Sequence, residues 1–217
     1  MMQLQLVTTA EHEETRASEA EAGLKHGTVV LDRLVRPWYG KGDRIVCADS
    51  YFASVEAALH LQARGVRFIG VVKTATSSYP MKLLQSKVLP SRGDWKSYVH
   101  RRDGKIAAMA VVWVDRERRY FISTASSVVE GAMCSRTRWR QLEGGAQRVT
   151  VEVKQPHVAE LYYSSCSMID RHNRCRQDDL MLERKCQTHD WLVRVCHSLL
   201  STVGVDSWLL YAGARGP

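Results

Sequence analysis

Asp49 closes a short apolar run. Residues 44–54 read RIVCADSYFAS: Ile45, Val46, Cys47 and Ala48 lead to one acid, followed by Ser50, Tyr51, Phe52 and a small residue pair before a helix-like segment. A carboxylate at a strand end that turns straight into a helix sits on rigid backbone, where it can ligate a hard cation such as Mg2+. The plainer use of the same acid is to cap the next helix by accepting backbone N–H groups near Phe52. Two other patterns have ligand-like spacing: His172-x-x-Cys175 and Cys186-x-x-His189 look like halves of a zinc site, but they stand far apart on a straight helix. Asp115, between Trp113 and Arg116, reads as a strand-end ion pair.

The elements that would carry these groups can be read from pattern. Residues 1–7 alternate weakly, as an edge strand would. Residues 22–35 read as a helix stopped by Pro37, and Gly40 and Gly42 as a turn. Residues 44–49 read as a short buried strand, 54–64 as a helix ended by Gly65, and 66–72 as a second apolar strand, connected closely enough for parallel neighbours. Residues 95–100, 106–114 and 120–124 read as strands of a mostly antiparallel, β-rich stretch over 80–155, with a fourth at 150–153. Asp103-Gly104 is a strong hairpin signal. The end reads as two helices, 168–185 and 191–211, whose buried faces would include Leu180, Leu182, Trp191, Leu192, Val195, Leu199, Val203 and Leu210. The final AGARGP reads as a disordered stop.

The chain has 217 residues and a net charge of +8, which favours a polyanionic partner. Lys96, Arg101, Arg102, Lys105, Arg116, Arg118 and Arg119, with Arg92 and Lys73 nearby, form the densest cationic stretch and are the candidate phosphate contacts. No run reaches the ~18 apolar residues of a membrane span. The first residues are too acidic for an export signal, so the six cysteines are expected as reduced thiols.

RIVCADSYFASVEAALHLQARGVRFIGVVK (residues 44–73) resembles the segment of piggyBac-type transposases that carries the second catalytic aspartate. Asp49, Tyr51, Phe52, Ser54, Gly65, Gly70 and Lys73 fall on that pattern. Tyr79-Pro80 and VVWVDRERRYFIST (residues 111–124) are similar to the family's next segments, and YYSSCSMIDRHNRCRQ (residues 162–177) resembles the helix start that carries the third catalytic aspartate, here Asp170. Residues 191–211 are similar to the helix after that.

The resemblance implies an α/β fold: a ribonuclease-H-like mixed sheet with flanking helices, a β-rich insertion and a helical C-terminal part. Its divisions would be 1–79, 80–155, 156–212 and a tail at 213–217. It implies metal-dependent DNA cleavage and strand transfer in the nucleus, Mg2+ held by Asp49 and Asp170, DNA as partner, no membrane association and a dimer. Two Mg2+ ions roughly 3.5–4 Å apart activate the attacking oxygen and stabilise the leaving one. The family's first aspartate lies on a strand preceding the one that residues 1–10 resemble, so two of three acids are matched. The expectation is therefore a catalytically incomplete core. The alternatives are a DNA-binding module without chemistry, or a complete transposase whose start was placed too late.

Overall fold

Helix α1 (His26–Val35) buries Thr28, Leu31, Asp32 and Val35, a spacing that puts them on one face. Pro37 has no N–H to continue the ladder, and the chain tightens into a 3-10 turn at Arg36–Trp38. Gly40 and Gly42 then take φ of 67° and 83°, which lets the chain reverse into the sheet. The structure, a computed structural model, describes residues 23–142 and 145–214; the strand expected at 1–7 lies outside them. It forms two compact units, Met1–Tyr162 and Tyr163–Pro217.

In the first unit, β1 (Arg44–Ala48) runs parallel to β2 (Val66–Val71), in register from Arg44 opposite Val66 to Ala48 opposite Gly70. The crossover between them is α2 (Val55–Gln62). Loop and short helix α3 (Met81–Gln85) lead to β3 (Trp95–Arg102), β4 (Lys105–Val114) and β5 (Arg118–Ser123). All five strands share one sheet in the order β1-β2-β5-β4-β3, because β5 pairs antiparallel with β2. The β-rich stretch is thus continuous with the parallel pair. Asp103 and Gly104 take φ of 51° and 75° between Arg102 and Lys105, the two-residue turn their types favour.

Alternation sorts the sheet into two faces. Phe68, Ala110, Val112, Tyr120 and Ile122 join Leu31, Val35, Ala57, Ala58, Leu61 and Leu84 in the core beneath the helices. Val111, Trp113 and Phe121, also buried, point to the opposite face. There the first turns of α4 (His157–Arg174) lie, with Val158 and Ala159 buried and the Phe121 and Tyr162 rings 5.7 Å apart. The reading of residues 44–49 as a buried strand is corrected: among the described residues β1 pairs on one side only, and Ile45 is 42% exposed.

A ribbon of two strands, β6 (Cys134–Leu142) and β7 (Gly145–Val153), forms a separate sheet in the same unit. Trp113 Nε1 donates to the Lys154 carbonyl at 2.8 Å, and the Arg136 guanidinium lies over the Trp113 ring. Asp115 ion-pairs with Arg92 and with Arg136, so the strand-end ion pair expected there is present.

α1 is clamped to α2 by a shielded carboxylate. Asp32 accepts from Arg36 at 2.8 Å, from Tyr39 Oη at 2.7 Å and from His60 Nε2 at 2.6 Å. Arg64 can only donate, so His60 Nδ1, 3.2 Å from it, accepts and Nε2 carries the hydrogen toward Asp32. Burial by itself would raise the Asp32 carboxyl; the hydrogen bonds from Arg36, His60 and Tyr39 outweigh it and hold the group well below the usual carboxylate range.

The second unit takes up α4 beyond Tyr162. α4 passes into a π turn at Cys175–Leu180, which ends at Met181 with φ of 54°. A one-turn α5 (Leu182–Lys185) and α6 (Trp191–Ala214) follow. Asp190 caps α6, accepting from Leu192 N at 2.8 Å. The single helix expected over 168–185 is therefore broken, because a left-handed residue cannot continue an α-helix. Residues 213 and 214, expected in the tail, are helical, since α6 runs to Ala214; residues 215–217 lie outside the described residues. The buried faces expected of these helices are corrected too. α6 buries Ser201, Thr202 and Val205, whereas Trp191, Leu192, Leu199, Val203 and Leu210 are exposed, as is Leu180 at the end of the π turn.

Candidate functional site

Asp49 stands immediately past β1, at the end where both parallel strands terminate. Carboxyl ends of parallel strands are where open α/β sheets bind ligands, because loops diverge there. Its Oδ1 accepts the Tyr51 N–H at 3.0 Å, and its carbonyl accepts the Ala53 N–H at 3.0 Å. The acid thus shapes its own turn. The helix cap is Ser54, whose Oγ accepts the Ala57 N–H at 3.0 Å. Asp49 is exposed.

Gly70, opposite Ala48 on β2, lets this turn sit close to the sheet. A Cβ there would lie 2.6 Å from the Ala53 Cβ and 3.2 Å from the Ala48 carbonyl oxygen. Gly70→Ala is expected to destabilise the protein by about 2 kcal/mol through overpacking. Urea denaturation checks this, and an unchanged midpoint would refute the tight fit.

Beside Asp49 is a cavity of about 440 Å3 lined by Ser50, Val71, Val72, Lys73, Thr74, Ala75, Arg118, Arg119 and Tyr120. Because β5 runs antiparallel to β2, its first residues lie at the end of β2, bringing Arg118 and Arg119 to Lys73. Arg118 donates to the carbonyls of Gln85 at 2.7 Å and Lys87 at 3.0 Å. Lys73 and Arg119 are exposed and make no ion pair among the described residues. Two exposed cations, a threonine and a serine hydroxyl around a cavity suit a phosphate oxygen.

The cations expected to contact phosphate separate into groups. Lys73, Arg92, Lys96, Arg116, Arg118 and Arg119 lie at the Asp49 end of the sheet, while Arg101, Arg102 and Lys105 lie at the β3–β4 turn, the other end. Arg92 is committed to Asp115, and Arg101 donates to the Gly104 carbonyl at 3.2 Å.

Asp170 lies inside α4, four residues before its last residue, Arg174, and is exposed. Its expected place at a helix start, where it would cap, is corrected: α4 begins at His157, directly after Pro156, which cannot donate to a preceding turn. Asp49 belongs to the first unit and Asp170 to the second. Among the described residues no three His, Cys, Asp or Glu side chains are grouped to hold a metal ion, and this includes His172, Cys175, Cys186 and His189. His172 Nε2 instead meets Asp206 Oδ1 at 3.1 Å.

Among the described residues no helix is long and apolar enough to cross a membrane. No curated protein and no solved structure matches the chain. The sequence model of the family described as Transposase IS4 matches residues 1–208, nearly the whole length, and the chain belongs to that transposase family.

Proposed function

We propose that this chain is core sequence of a piggyBac-type transposase, that its five-stranded sheet is part of a ribonuclease-H-like core, and that it binds DNA through the cavity beside Asp49. The observation that carries the proposal is the pairing of a strand-end aspartate with two exposed cations, Lys73 and Arg119, that make no ion pair among the described residues, at the carboxyl ends of β1 and β2. On the same reading the protein is nuclear and pairs with a second copy of itself.

The transposase family uses divalent metal in general. Asp49 has the chemistry of a Mg2+ ligand, since Tyr51 N–H occupies one carboxylate oxygen and the other is left for a hard cation. Asp170 is the second proposed ligand. Two carboxylates fall short of the three that the resemblance calls for, so no bond-breaking step is assigned to these residues.

Anisotropy of a labelled 30-base-pair duplex, titrated across salt, tests the binding. Each phosphate contact contributes about 0.9 to the slope of log K against log salt, so the Lys73→Gln, Arg119→Gln double variant is expected to flatten it by about 2. Absence of any wild-type complex at low salt removes the DNA reading. Mn2+-dependent nicking of plasmid by the purified chain, abolished by Asp49→Ala, would show that the site is complete after all.

A further inference from the structure

The ribbon β6–β7 takes no part in the site above, yet one of its strands carries three arginines in strict alternation. Arg136, Arg138 and Arg140 alternate along β6 and so share one face, in register with Val151, Val149 and Gln147. Arg136 is drawn back to Asp115 and Trp113 and anchors the base. Toward the tip, Arg140 and Arg148 are exposed, and Arg138 Nε has no hydrogen-bond partner among the described residues. On the opposite face Trp139 is 72% exposed, in register with Arg148. Of the carboxylates, Glu152 sits at the base and is bonded to Ser135, and Glu143 falls outside the described residues.

An isolated two-stranded ribbon is marginally stable in water. A tryptophan left in solvent on such a ribbon contributes nothing to its folding, and three neighbouring arginines repel one another. Both features make sense against a polyanion whose groove also presents apolar groups such as the thymine methyl. A two-stranded ribbon fits the major groove of B-DNA, about 12 Å wide, and arginine is the side chain that most often reads guanine O6 and N7 there. At nine residues a strand, the ribbon is about 30 Å long, enough to follow the groove.

We infer that β6–β7 is an arm that enters the major groove of duplex DNA, with Arg138, Arg140 and Arg148 on phosphates and guanine edges and Trp139 against a thymine methyl or a sugar. The inference rests on the reading of the chain as DNA-binding and adds a contact surface remote in sequence from Lys73.

The test uses the full chain and a labelled 30-base-pair duplex of mixed sequence, between 50 and 200 mM KCl. Arg138→Gln, Arg140→Gln, Arg148→Gln in one protein is expected to flatten the salt slope by about 2–3 and weaken binding on the order of 100-fold. Trp139→Ala is expected to weaken binding roughly ten-fold with the slope unchanged, because an apolar contact releases no counterions. A duplex with 7-deazaguanine at every guanine, which lacks the major-groove N7 acceptor, should bind the wild type more weakly and leave the triple variant unaffected. Trp139, Arg140 and Arg148 are exposed and Arg138 is half-buried, and thermal melts that coincide with wild type confirm folding. A wild-type complex whose slope survives the triple substitution overturns the arm while leaving DNA binding intact. A wild-type complex indifferent to 7-deazaguanine overturns groove entry. No wild-type complex at 50 mM removes DNA binding and the arm together.

Discussion

Trp113→Ala should lower the unfolding free energy by about 4 kcal/mol, the largest effect expected of any single substitution in this chain. The side chain is fully buried on β4. Its removal leaves a cavity on the face away from α1 and α2. It also strands two groups that anchor the ribbon: the Lys154 carbonyl loses its donor at 2.8 Å, and Arg136 loses the ring beneath it. Trp113→Phe separates packing from hydrogen bonding. It keeps most of the volume but leaves the Lys154 carbonyl unpaired, at a cost of about 1–2 kcal/mol. Urea denaturation gives both values. Limited proteolysis should then cut first within residues 134–153, because the ribbon depends on this anchor. A loss below 1 kcal/mol for the alanine variant would mean that Trp113 is not the keystone its burial indicates.

Asp32→Ala is expected to cost about 3 kcal/mol at neutral pH, since it removes the one acceptor shared by Arg36, Tyr39 and His60 and leaves their donors partly shielded and unpaired. The pH dependence comes from the depressed carboxyl. The folded state holds the Asp32 proton less tightly than the unfolded chain does. The contribution is therefore complete above the unfolded value of about 3.9 and is lost as pH falls toward the folded value. Asp32→Asn, compared with wild type by urea denaturation, should show its full deficit from pH 5 upward and a shrinking one below pH 4. A deficit constant across that window would mean that the carboxylate's charge is irrelevant to the clamp.

What could be read in advance depended on whether one side of an element is chemically unlike the other. β2, β4 and β5 are apolar runs between turn residues, and their positions were evident within a residue or two. Asp103-Gly104 names its turn because both residues tolerate positive φ. β6 was missed because CSRTRWRQL has no apolar face; its alternation is of arginine against threonine and tryptophan, and that was the available signal. α6 was found, but its buried face was not. Leu and Val occur on every side of it, so periodicity cannot choose, and the close contact goes to the small residues Ser201, Thr202 and Val205. The depth of β1 was misjudged for a different reason: five apolar-leaning residues do not reveal whether a strand has one neighbour or two.

The candidate site was legible at Asp49, where an apolar run ends in an acid, and less so at Asp170, whose helix starts 13 residues earlier, at His157. The Asp32 clamp was not visible at all. It joins residues from α1, the turn after it and α2, and no local spacing announces such a meeting.

β4 also serves as a ruler. Its ten residues separate the cations near Asp49 from those at the β3–β4 turn by about 33 Å. One turn of B-DNA advances 34–36 Å. A duplex laid along the neighbouring strand β3, at the edge of the sheet, would therefore present phosphates of the same side to both ends at once, and the sheet would measure one helical repeat without reading a base. Duplexes cut shorter than about ten base pairs should lose one of the two grips and bind with a correspondingly shallower salt dependence.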